Sequence, residues 1–194
     1  MTARRIIGLT GGIATGKSTV SRYLARRYQL PVLDADIYAR EAVAKGSDIL
    51  GAIARRYGPS LLLPDDTLDR VALGKIIFES ASEKRWLEQQ IHPFVRARFS
   101  QVTSAMPSTQ TLVYAIPLLF EANLTHLVSE VWVVFCQPAQ QKERLMARNQ
   151  LSAADAQVRI DAQLPLAEKC DRADVVLDNS GSKAQLLAQV DTLF

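Results

Sequence analysis

The stretch GLTGGIATGKST, residues 8–19, decides the fold. It follows the apolar pair Ile6-Ile7 and runs into Val20-Ser21-Arg22-Tyr23-Leu24, so its glycines, lysine and hydroxyls are crowded between a strand-like and a helix-like segment. Gly11, Gly12, Ile13, Ala14, Thr15, Gly16, Lys17 and Ser18 fit the spacing G-x-x-x-x-G-K-[ST] of a phosphate-binding loop. In such a loop successive backbone N–H groups form a concave nest, and the helix that follows adds its positive end. Lys17 then brings a full charge to the terminal phosphates, and the Ser18 hydroxyl is the expected Mg2+ ligand, with Thr19 beside it. The loop reads as a nucleoside triphosphate site and leaves open what is done with the nucleotide.

Outward from the loop, Arg5 to Thr10 reads as a short buried strand and Ser18 to Tyr28 as a helix with Val20, Leu24 and Tyr28 on one face. Leu30 to Asp34 is a second strand, closed by Asp34-Ala35-Asp36 and expected to lie beside the first. TLVYAI (111–116) and EVWVVF (130–135) are β-branched and aromatic without helical period, and DVVLDN (174–179) is the last strand. Between the second and third strands only helical patterns occur, at 37–45, 48–57 and 68–79, the last with Asp66 or Thr67 as its cap. A long helix opens near Glu83 with Ser82 as its cap, and Pro93 inside it predicts a kink or break just after His92. Residues 138–150 are helical, Ser152 with Asp155 resembles a capping box, and a final helix starts near Ser182.

Strands separated by helices give an α/β class: a three-layer P-loop NTPase fold with a mainly parallel five-stranded sheet, whose ligands gather at the carboxyl ends of the strands. A single kinase-like domain is expected, with a core of about 1–36, 108–137 and 173–194. A helical acceptor-binding insertion takes up about 37–107, and a lid bearing arginines about 138–172.

Composition narrows the partners. With 194 residues, 48% of them hydrophobic, the chain can bury a real core. Its net charge of +3 is too mild to call for nucleic acid, and no apolar run approaches the roughly 18 residues that span a bilayer. Cys136 and Cys170 lack the paired spacing of a zinc site and read as reduced thiols in a cytoplasmic protein. No obligate protein partner is implied.

A phosphate loop serves kinases, regulatory GTPases and transport ATPases alike. DNSG at 178–181 fits the D-x-x-G of a GTPase, yet no N-K-x-D follows anywhere, and no strand ends in the Asp-Glu of a transport ATPase. A small-molecule kinase needs a carboxylate to take or orient the acceptor hydroxyl and cations that close over the transferring phosphoryl. Asp34 or Asp36 can supply the first; Arg144 and Arg148, four apart on one helix face, with Arg159, can supply the second. For each of these residues taken singly, a helix cap or a solvated face is the ordinary alternative.

The order of these segments is similar to that of the dephospho-CoA kinase family along nearly the whole chain. GLTGGIATGKST resembles that family's loop, VLDADIYAR (32–40) its catalytic segment, and LDRVALGKIIF (68–78) and LEQQIHPFVR (87–96) its acceptor-binding helices. IPLLFE (116–121) resembles its third-strand exit, and ADVVLDNSG (173–181) its closing strand. The resemblance implies transfer of the γ-phosphoryl of ATP to the 3′-hydroxyl of the ribose of dephospho-CoA, with Mg2+. Asp36 would be the base or orienting carboxylate, Lys17 would neutralise the phosphates, and Arg144, with Arg148, would clamp the transferring group. Asn179 would sit near the adenine of ATP, while Arg70, His92, Pro117 and Glu121 would line or support the acceptor pocket. The alternatives are another nucleoside or nucleotide kinase of the same loop class, or a nucleotide-dependent switch protein. Two positions depart from the family pattern: Ala14 and Thr67 stand where glycine is usual.

Overall fold

In the computed structural model, which describes residues 4–194, five strands form one parallel sheet. They are β1 (Ile6–Gly11), β2 (Val32–Asp34), β3 (Leu112–Ala115), β4 (Glu130–Phe135) and β5 (Val175–Asp178). Their order is β2-β3-β1-β4-β5, so β3, not β2, lies beside β1 on that side, and the expected neighbour is corrected. The reason is physical. Strand β1 is apolar along its length and is hydrogen-bonded on both sides, with Leu9 opposite Ala115 and Trp132. A three-residue β2 cannot cover it, and short strands suit sheet edges, where little unpaired backbone is left exposed.

Contacts divide the chain into two compact units. The first holds the sheet and is made of the chain up to Asp34 together with Pro107–Phe194. Within it α1 (Lys17–Arg27) and α9 (Lys183–Asp191) lay Val20, Leu24, Leu186 and Val190 against Ile7, Leu9, Val113, Trp132, Val134 and Leu177. All ten of these side chains are essentially inaccessible, and each contributes roughly 1.5–3 kcal/mol relative to exposure. The spacing of four on each helix puts both apolar residues on the face that meets the sheet. The unit also carries α6 (Pro138–Asn149), α7 (Ala153–Asp161) and α8 (Leu166–Asp171), with α8 against β4. Ser152 caps α7 through the Asp155 amide, and Ser182 with Gln185 forms a full capping box on α9, both at the expected places.

The second unit, Ala35–Met106, is helical: α2 (Ala35–Ala42), α3 (Asp48–Tyr57), α4 (Arg70–Glu79) and α5 (Ala81–Ser104). Its core gathers Val43, Leu50, Ile53, Leu61, Leu68, Leu73 and Leu87. Two caps differ from expectation. Asp69, not Asp66 or Thr67, caps α4, accepting from the amides of Val71 and Ala72 at 2.9 Å. Asp66 instead takes the left-handed turn conformation (φ 62°), and Asp65 holds the Thr67 amide and hydroxyl. Ser80, not Ser82, caps α5 through the Glu83 amide. Of the kink or break expected at Pro93, the break does not occur: the helix continues from Ala81 to Ser104. The carbonyl one turn earlier, on Gln89, lies on an exposed stretch of helix where water can replace the missing N–H.

Candidate active site

Chemistry gathers at the carboxyl edge of the sheet. The loop after β1 turns through Ala14 at φ 62° and Gly16 at φ 109°, and α1 starts at Lys17 with no side-chain cap. The first amides of α1 are therefore not claimed by a capping side chain, which is the arrangement that suits an anion. Side chains hold the loop's shape from three directions. Asn179, just past β5, donates its side-chain amide to the Thr15 carbonyl at 2.7 Å. Gln141 of α6 donates to the Ile13 carbonyl at 3.0 Å, and the Ile13 amide donates to Gln163 at 2.9 Å. Thr15 closes the loop on itself, its hydroxyl donating to the Gly12 carbonyl. Lys17 is half-buried, while Ser18 is exposed at the helix start.

Ala14 occupies a backbone region that an L-residue enters at a cost of roughly 1–2 kcal/mol. At Gly16 a Cβ would run into the Asn179 side-chain nitrogen, which is itself bonded to the Thr15 carbonyl.

Arg144 and Arg148 share one face of α6 but differ in setting. Arg144 is half-buried and donates through Nη2 to the Asn179 carbonyl at 3.1 Å. Its Nη1, like Gln140 Oε1 and Ser180 Oγ beside it, is a buried polar atom without a hydrogen-bond partner among the described residues. Three unsatisfied polar atoms around Asn179 are costly in a closed fold and fit a polar ligand that ends near β5. Arg148 is exposed and bonded to Asn149, and Arg159 on α7 is exposed as well. Cys136 lies near Arg144; burial pushes its thiol above the ordinary range, and Arg144 offsets only part of that, so it stays protonated at neutral pH.

Pro117 and Glu121 face the loop's scaffold. The Pro117 carbonyl accepts from the Thr10 hydroxyl of β1 at 3.0 Å. Glu121 accepts from the Leu164 amide at 3.0 Å and pairs at 2.7 Å with Lys169, whose side chain is fully inaccessible. Lys169 reaches on to the Gly11 carbonyl at 3.4 Å. Sequence reasoning missed Lys169, because LAEKCD looks like any solvated helix and nothing local marks a buried cation. Gln141 and Gln163 were missed for the same reason.

In the helical unit, Asp36 stands in the first turn of α2, immediately after β2 in the chain, and is exposed. Its helix is anchored on α5 by Tyr38 edge-on to Phe99 (5.2 Å between ring centres) and by Glu41 with Arg98 (3.2 Å). Asp36 and Arg70 line the same groove, about 430 Å3, with Arg40 between apolar walls that include Val43, Leu68 and Ile91. Arg70 comes there as the first residue of α4, directly after its Asp69 cap. His92 is not in that groove; it opens on a second one with Arg85, Glu88 and Arg96. Among the described residues no group of three or more His, Cys, Asp or Glu could hold a metal ion. No helix of the described residues is long and apolar enough to cross a membrane.

The sequence pattern of the family described as dephospho-CoA kinase matches residues 5–185. A dephospho-CoA kinase from Synechocystis sp. is 58% identical over 187 residues, covering 96% of this chain and 93% of its own. Among solved structures, one of TT1252 from Thermus thermophilus superposes with a TM-score of 0.83 at 32% identity, covering 99% of this chain and 97% of the other. A dephospho-CoA kinase from Campylobacter jejuni superposes with a TM-score of 0.71 at 27% identity, covering 97% and 94%.

Proposed function

The chain belongs to the dephospho-CoA kinase family, and on that premise we propose that it transfers the γ-phosphoryl group of ATP to the 3′-hydroxyl of dephospho-CoA, giving coenzyme A and ADP. The observation that carries the reading within this chain is the phosphate loop, held by Asn179 and Gln141 and opening α1 with its amides uncapped, in a chain that also presents Asp36 and Arg70 in one groove.

Each residue has a definite task. Backbone amides of the loop and the start of α1, those of Gly16, Lys17 and Ser18 among them, take the phosphates, and Lys17 neutralises charge on the β- and γ-groups. Asn179 and Ser180 border the adenine end of ATP, where Gln140 Oε1 and Ser180 Oγ have bonds to satisfy. Asp36 accepts or orients the acceptor hydroxyl proton. Alignment of that hydroxyl is the larger part of phosphoryl transfer, so the role does not require a strong base. Arg70 and Arg40 give the acceptor groove positive charge for a phosphorylated substrate, and its apolar walls give contact area. Arg144 and, further out, Arg148 close on the transferring group as part of a lid made of α6 to α8.

Mg2+ fits the donor set: the Ser18 hydroxyl is a hard oxygen at the helix start, and the remaining oxygens would come from ATP and water. When bound, it would spread the negative charge of the β- and γ-phosphates. Two unpaired cysteines suit a reducing, cytoplasmic setting.

A coupled assay of ADP release with dephospho-CoA, AMP, CMP, shikimate or no acceptor tests the assignment. Dephospho-CoA alone should raise the rate above the blank; a rate equal to the blank would remove it.

A further inference from the structure

Lys169 is the one fully buried charged side chain among the described residues, and none of the tasks above uses it. It stands on α8, yet its two partners belong to other parts of the unit: Glu121, after β3, at 2.7 Å, and the Gly11 carbonyl, the last of β1 and the first of the phosphate loop, at 3.4 Å. Glu121 continues the chain of contacts by accepting from the Leu164 amide at 3.0 Å. Next to Leu164, Gln163 accepts from the Ile13 amide. The connection between α7 and α8 is therefore tied to the loop at two points, by Gln163 on Ile13 and by the Glu121–Lys169 pair on Gly11.

A buried ion pair is a poor way to gain stability, since apolar side chains of similar volume often serve as well or better. What apolar side chains cannot do is hold a backbone carbonyl and a backbone amide in place. We propose that Lys169 and Glu121 are positioning residues for the nucleotide: they fix the Gly11 carbonyl, and so the direction in which the amides of the loop point, and they link that geometry to the segment that leads from α7 into α8. Glu121 acts on the donor side through Lys169 and is not an acceptor contact. The inference rests on the loop being the ATP site and is independent of which acceptor is used.

The test compares Lys169→Met, Glu121→Gln and the double variant Lys169→Met/Glu121→Leu. Three readouts are taken: calorimetric binding of a non-hydrolysable ATP analogue, KM for ATP and for dephospho-CoA, and melting temperature. Glu121→Gln keeps an acceptor for the Leu164 amide and is expected to fold. In each variant the affinity for the analogue should fall by about tenfold or more, as misplacement of a positioned group does, while the KM for dephospho-CoA stays within about twofold. The double variant, free of an unpaired buried charge, should melt within about 3 °C of the parent and still bind the analogue weakly. A double variant that binds the analogue as the parent does would reduce the pair to a structural one and overturn the proposal. So would a Glu121→Gln variant with normal analogue binding and a raised KM for dephospho-CoA. Analogue binding is measured without any acceptor, so failure of dephospho-CoA as a substrate would be seen separately, in the parent enzyme.

Discussion

Asn179 holds Thr15 by a 2.7 Å hydrogen bond to its carbonyl, and in the same region occupies the space that a Cβ on Gly16 would need. One side chain from the end of β5 thus sets both the shape of the phosphate loop and the identity of one of its residues. Asn179→Ala removes a hydrogen bond worth about 1 kcal/mol and should weaken ATP binding about fivefold. Gly16→Ala should be far worse in the parent, because it meets Asn179 and is also forced to φ 109°. In an Asn179→Ala background Gly16→Ala should cost less, leaving only the backbone strain. Purely additive effects in this cycle would show that the two residues do not interact.

Ala14 at φ 62° sets two opposing effects against each other. Glycine would relieve roughly 1–2 kcal/mol of strain, but would lose about 0.4–1 kcal/mol through the freer unfolded chain. Ala14→Gly should therefore be neutral to slightly stabilising in thermal melting, with the KM for ATP within about twofold of the parent, since no chemical group is lost. Ala14→Val, with a β-branched side chain in the left-handed region, should destabilise the loop and raise that KM clearly.

Acid stability should depend on Glu83. It accepts from Arg56 at 2.7 and 2.9 Å and from the Tyr57 hydroxyl at 2.6 Å, and these bonds, Arg56 first, hold its carboxyl down at about 2 against an ordinary 4.5. The folded value lies below the unfolded one, so the contribution is complete above pH 4.5 and is lost as the pH falls towards 2. The melting-temperature difference between the parent and Glu83→Gln should be largest at neutral pH and shrink across that window. A difference that is constant with pH would mean that the carboxylate charge is not what the site uses.

Much of this was legible in the sequence because the signals were local. The loop announces itself by fixed spacing, β3 and β4 by β-branched runs, the cap at Ser152 by Asp155 three residues on, and the last helix by its start near Ser182. Strand order was not local: a parallel crossover through the long helical unit after Asp34 leaves β2 free to pair elsewhere, and only the doubly buried character of β1 argues for long neighbours on both sides. The same holds for Lys169, whose partners Glu121 and Gly11 are far away in the chain. At Pro93 the break half of the expected kink or break does not occur, since the lost bond lies at an exposed helix face.

Asp36 and Lys17 should separate chemistry from binding. Asp36→Asn keeps the size of the side chain and removes the charge, and should lower kcat by about 10²–10⁴-fold with the KM for ATP near that of the parent. Lys17→Ala should damage both kcat and the KM for ATP. If Asp36→Asn turned over normally, the catalytic carboxylate would be elsewhere, with Asp34 at the end of β2 next in line.

The most direct measurement is the position of the new phosphate on the product. Enzyme, ATP, Mg2+ and dephospho-CoA are incubated together, and the product is examined by phosphorus NMR with proton coupling to the ribose. A phosphomonoester on the 3′-carbon, formed in step with ADP and absent without the enzyme, is the predicted result. A phosphate on any other oxygen, or ATP hydrolysed with dephospho-CoA unchanged, would contradict the account.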